Sequence, residues 1–153
     1  MTAMYNTLAM GAVERGEFDS AYELLKKAEV MTDEGAGLAS APQTRLRLRA
    51  VTFSNLGCYF KRKGKLHAAL QYLEEAWGIE QAAPRTENPA GTLLNICAAL
   101  SELDRHREAA RFASDALALL RQELGLGADD GGDVGGDVGG DDGGDDGGDD
   151  GGD

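Results

Sequence analysis

Two cysteines, two histidines, a pair of adjacent glutamates, a run of three cations and a long train of aspartates are the residues here that could carry chemistry. Cys58 and Cys97 stand in stretches of helical pattern with no disulfide framework, and neither His67 nor His106 has a cysteine or carboxylate partner at metal-ligand spacing. His67 and His106 are the only histidines, each at the start of a helical segment where the surface is the expected place. Glu74 and Glu75 are consecutive, and helical neighbours diverge by about 100°, so they read as a helix exterior and not an acid/base dyad. Cys58 has cations one turn on, at Lys61 and Arg62, but nothing else that would depress its pKa, so it reads as a small, partly buried thiol. Lys61, Arg62 and Lys63 either hold an anionic side chain or complement the negative end of a helix; sequence leaves both open. With no nucleophile elbow, phosphate loop or metal constellation, no enzymatic activity and no cofactor is expected.

The aspartates belong to a separate region. From Asp129 onward only Gly, Asp and two Val occur, in G-G-D-V and G-G-D-D units that repeat every four residues. Calcium-binding β-roll repeats have a nine-residue period with an apolar anchor, which these units lack. Such a composition cannot bury enough apolar surface to offset ordering entropy, so a disordered acidic tail is expected. Of the chain's net charge of −12, the 11 aspartates from Asp129 on account for all but about −1. The remainder has no basic field for nucleic acid or anionic lipid, so neither is an expected partner. No run approaches 18 apolar residues, so no membrane span is expected. Cysteines inside helical segments, without a secretory signal, fit a reducing, cytoplasmic setting. The expected division is a helical domain over 1–126 and a Gly/Asp-rich tail over 127–153.

Six helical segments would position these residues. Thr2 to Arg15, with Ala3, Tyr5, Leu8, Ala9 and Ala12 as its apolar side, turns at Gly16-Glu17 into Phe18 to Met31. A loop with Gly35 and Gly37 leads to Pro42, which suits a first helical turn, with Ser40 as a nearby N-cap. T-R-L-R-L-R-A has no breaker and extends that helix into Phe53, Leu56, Gly57 and Phe60, which recur at i, i+3, i+4 and i+7. After Gly64-Lys65, Leu66 to Gln81 repeats the pattern through Ala69, Leu73 and Ala76. Asn88-Pro89 opens a third pair, Pro89 to Leu103 and His106 to Leu124.

The pairs share one register. Leu8, Leu56 and Ile96 correspond, as do Ala9, Gly57 and Cys97; so do Gly16, Gly64 and Asp104, then Ala21, Ala69 and Ala109, then Ala28, Ala76 and Ala116, always at steps of 48 and 40 residues. A repeated helix pair that cannot bury both faces alone must stack on its neighbour. At Asn55-Leu56-Gly57, Tyr59-Phe60, Gly64-Lys65, Ala69 and Ala76 the chain resembles tetratricopeptide repeat (TPR) proteins, and the 40-residue step resembles the longer repeats of kinesin light chains. The resemblance covers residues 2–124. It implies an all-α, right-handed superhelical array of three antiparallel helix pairs, whose first helices line a concave groove for an extended peptide.

On this chain the implied groove comprises Asn6, Met10 and Val13; Val51, Ser54, Asn55, Cys58, Lys61 and Arg62; and Leu94, Asn95, Ala98, Ser101 and Glu102. Asn55 and Asn95 fall where groove asparagines of the family bond a peptide backbone, an amide being able both to donate and to accept. The first pair departs from the pattern, with Thr7 in that place. The two-cation carboxylate clamp of some members is missing, since Gly91, Asn95 and Asn6 stand at the corresponding places. An acidic or phosphorylated peptide is the expected partner. A rival reading rests on the last helix, whose Ala110, Leu117, Leu120 and Leu124 form a stripe with no following helix to cover it. That stripe would dock another copy, another protein of a larger cytoskeletal or motor-associated complex, or further repeats. A third reading gives the polyanionic tail basic proteins to bind.

Overall fold

The computed structural model describes residues 1–35, 41–83 and 88–126. Six helices form in order: α1 (Thr2–Glu14), α2 (Phe18–Met31), α3 (Pro42–Arg62), α4 (Leu66–Ala82), α5 (Pro89–Glu102) and α6 (His106–Glu123). No strand occurs among the described residues. The expected helix ends hold to within a residue or so, but the expected cap Ser40 lies outside the described residues. The N-cap of α3 is Ala41, which makes no side-chain cap bond, with Pro42 at the first helical position. Asn88 does cap α5, its Oδ1 accepting from the Gly91 amide at 2.9 Å. The acidic tail expected over 127–153 also lies outside the described residues.

Three tight turns make the hairpins α1–α2, α3–α4 and α5–α6. Gly16 (φ 77°), Gly64 (φ 72°) and Asp104 (φ 59°) are left-handed, the conformation that ends a helix in a Schellman turn. The amides of Glu17, Lys65 and Arg105 close these turns on the carbonyls of Ala12, Phe60 and Leu100, each at 2.9 Å. Glycine tolerates this φ freely; Asp104 pays a steric penalty for it.

Hairpins then stack. Each second helix packs on the next first helix, α2 on α3 and α4 on α5, while α1 neighbours α3 and α3 neighbours α5. Among the described residues α1 touches neither α5 nor α6, so the array is open and not a closed bundle. Two apolar clusters hold it. The first joins Ala9, Val13, Leu25, Phe53, Leu56 and Tyr59; the second joins Leu70, Leu73, Ile96 and Leu100, with Trp77 partly buried against it. Gly57 lets α3 and α4 approach so closely that a Cβ there would lie 2.4 Å from Leu73 Cγ. An aromatic chain ties the first two hairpins together, with Tyr22 on Tyr59 at 5.6 Å and Phe60 stacked on Tyr72 at 5.4 Å.

Leu8 departs from the sequence reading. Its counterparts Leu56 and Ile96 are fully buried, yet Leu8 is 51% exposed. Leu56 and Ile96 lie in faces covered by the preceding hairpin, and nothing among the described residues covers that face of α1. The packing of α1 is made instead by Ala9, Ala12 and Val13.

Candidate peptide-binding face

The first helices α1, α3 and α5 present the face that the sequence singles out. On α3, Arg47, Val51, Ser54, Cys58 and Arg62 recur at helical spacing along one side, and all are exposed or half-buried. Their counterparts are Thr7's neighbour Met10 on α1, half-buried, and Leu94 and Ala98 on α5, 49% exposed and half-buried respectively.

Two expected members are corrected. Asn6 is 3% exposed and Val13 is 1% exposed, so neither lines an accessible surface. The Asn6 carboxamide is spent between helices. Its Nδ2 donates to Thr52 Oγ1 at 2.9 Å and to the Thr2 carbonyl at 3.3 Å, and its Oδ1 accepts from Asn55 Nδ2 at 3.0 Å. Adjacent first helices are thus zipped by side-chain hydrogen bonds. The same role passes to the next junction, where Thr92 and Ser54 hydroxyls meet at 3.4 Å and Lys61 Nζ donates to Asn95 Oδ1 at 3.2 Å.

These bonds engage one half of each asparagine amide. Asn55 donates, which leaves its oxygen; Asn95 accepts, which leaves its two N–H groups. Both side chains are half-buried.

Positive charge on this face comes from α3, which contains Arg45, Arg47, Arg49, Lys61 and Arg62 and no acidic residue, while the exposed Glu102 of α5, the counterpart of Arg62, adds a negative charge. Three of these cations are tied down. Arg45 donates to the Thr32 carbonyl at 3.1 Å, at the C-terminal end of α2 where a cation is favoured, and Lys61 is held by Asn95. Arg49 reaches Asp33 at 3.4 Å and lies 4.5 Å over the Phe53 ring. Arg47 and Arg62 are exposed, with no carboxylate in ion-pair distance among the described residues. Lys63 turns away, 5.0 Å over Phe18 of the first hairpin.

Arg47 escaped the sequence reading. The T-R-L-R-L-R stretch is taken there as helix, and the same helical spacing carried one turn back from Val51 points to Arg47. Cys58 is half-buried, and that burial raises its thiol pKa against the lowering pull of Lys61 and Arg62. It is a neutral thiol at physiological pH, without the character of a redox or nucleophilic group. Among the described residues no group of three His, Cys, Asp or Glu side chains could hold a metal ion. No described helix is long and apolar enough to cross a membrane.

The stripe expected on α6 is accessible: Ala110 is exposed, Leu117 is 50% and Leu124 71% exposed, and Leu120 is half-buried. A concavity of about 560 Å³ lies elsewhere, on the first hairpin between Tyr5, Tyr22, Lys26, Val30 and Met31. Lys26 in its wall is already paired with Glu29.

An open stack of helical hairpins, with its first helices side by side and its second helices bracing them, defines a helical-repeat protein. The tetratricopeptide repeat family model matches residues 49–81, which is most of α3 and nearly all of α4. The flanking hairpins have the same turn and the same buried alanines, and together with this match these features support a TPR-type repeat protein. None of the curated proteins compared matches it. Repeats of this type generally mediate protein–protein interaction.

Proposed function

We propose that this chain is a non-enzymatic interaction scaffold that holds an extended, acidic segment of a partner protein against the groove of its first helices. The observation that carries this reading is the pairing of two exposed arginines, Arg47 and Arg62, which have no carboxylate partner among the described residues, with half-buried Val51 and Cys58 between them on α3. The arginines supply bidentate donors for carboxylates, and the small side chains leave room for a backbone. Asn55 and Asn95 flank that strip with opposite polarity: an oxygen for a peptide N–H and an amide nitrogen for a peptide C=O. The 11 aspartates from Asp129 on are covalently linked competitors for the same arginines.

Fluorescence anisotropy with a labelled glutamate-rich peptide, against its glutamine counterpart, tests this on the full chain. The acidic peptide binds, more weakly as salt rises, and Arg47→Glu with Arg62→Glu abolishes binding without loss of helicity. Asn55→Ala with Asn95→Ala weakens it, and deletion of Asp129–Asp153 strengthens it. Binding that ignores the arginine reversals overturns the reading. If deletion of the aspartates instead removes capture of a basic protein and the arginine changes do nothing, the tail is the working element.

A further inference from the structure

The two ends of the array are complementary halves of the contact that joins its hairpins. Where one first helix meets the one before it, the internal junctions use polar pairs: Asn6 with Thr52 at 2.9 Å, and Ser54 with Thr92 at 3.4 Å. By the shared register, Leu94 follows Asn6 and Ser54, and Met4 precedes Thr52 and Thr92. These two are apolar, and they are 49% and 53% exposed. The change of chemistry occurs on both open ends at once.

A second place behaves the same way. Glu80 of α4 accepts from Thr92 of α5 at 3.0 Å, and its counterpart on α6 is Leu120, which would again face the Met4 position. A third is apolar throughout. Trp77 packs into the cluster containing Ile96; their end-face counterparts are Leu117 and Leu8, half-exposed. Residues 1–13 contain no charged side chain, so α1 brings only Glu14, at its C-terminal end, as an ion to desolvate against α6.

We infer that the chain associates head-to-tail with further copies of itself, the Leu94, Leu117 and Leu120 face of one copy seating on the Met4 and Leu8 face of the next. This contact continues the α2–α3 and α4–α5 stacking already present within the chain. It is heterologous, since each copy uses a different face, and a stacking rotation that does not close gives open-ended assemblies. The first helices of successive copies would then form one continuous row.

Sedimentation equilibrium of the full chain over a wide concentration range tests this. The average mass should climb above the 16.1 kDa of one chain without levelling at a dimer. Met4→Asp and Leu94→Asp, both at exposed positions, should each give monomers of unchanged helicity. An equimolar mixture of the two should give dimers and nothing larger, because each variant keeps one good face. Lysine replaces aspartate wherever a variant loses helicity. A monomer at every concentration overturns the inference. So does a mixture that stays monomeric, or a discrete dimer that loses its stability with Leu94→Asp but not with Met4→Asp, the mark of a face pairing with itself.

Discussion

Glu80 makes the stability of the array depend on pH in an unusual direction. The carboxylate is partly buried at the junction of α4 and α5; its Oε1 accepts from Thr92, and its Oε2 is buried without a hydrogen-bond partner among the described residues. Burial raises its pKa from an ordinary 4.5 to about 7, against the smaller lowering by Thr92. Between these two values the native state binds more protons than the unfolded chain, so stability falls as pH rises. At ~1.4 kcal/mol per tenfold change in proton affinity, the upper bound on the cost of the charge is about 3–4 kcal/mol. Partial exposure screens the charge, which brings the expected cost to about 1–2 kcal/mol. Glu80→Gln keeps an acceptor for Thr92 and removes the charge. Urea unfolding followed by far-ultraviolet circular dichroism should give equal stabilities for variant and wild type at pH below 4.5, and a gain of about 1–2 kcal/mol for the variant above pH 7. A difference that does not change with pH refutes the assignment, as does a wild type that grows more stable than the variant in alkali.

Other outcomes follow from the packing. Asn6→Ala should cost about 1–2 kcal/mol in chemical denaturation by breaking the α1–α3 zipper, while Asn95→Ala, at a half-buried place, should cost under about 0.5 kcal/mol. Leu73→Ala should cost about 2–5 kcal/mol, and Gly57→Ala about 1 kcal/mol net of its helix-propensity gain. The double variant should cost at least ~1 kcal/mol less than the two together, because the shortened Leu73 makes room for the new Cβ; simple additivity would contradict the close α3–α4 approach. Asp104→Gly should stabilise by about 0.5 kcal/mol by relieving the left-handed strain, measured as a shift in unfolding midpoint, whereas Gly64→Ala should destabilise.

The hairpins were legible because their turns and close contacts leave a mark on residue type. A left-handed residue selects Gly16 and Gly64, and helix approach selects Ala21, Ala69 and Ala109, all buried. What escaped was set by neighbours one hairpin away. Asn6 has the composition and spacing of a surface position, and only the lateral approach of α3 buries it against Thr52. Leu8 has the spacing of a core position, and only the lack of a covering helix exposes it. Periodicity reports the face of a single helix; it does not report what stands opposite. Arg47 was readable in principle, since its face follows from spacing alone once the stretch before Val51 is taken as helix.

The groove reading meets its most direct test in an amide-shift titration of the full chain by nuclear magnetic resonance, with the glutamate-rich peptide as ligand. The largest shifts should fall on α3 at Arg47, Val51, Cys58 and Arg62, extending to Met10 on α1 and Ala98 on α5. Shifts confined to the second helices or to the α1 and α6 end faces, with α3 silent, would contradict it.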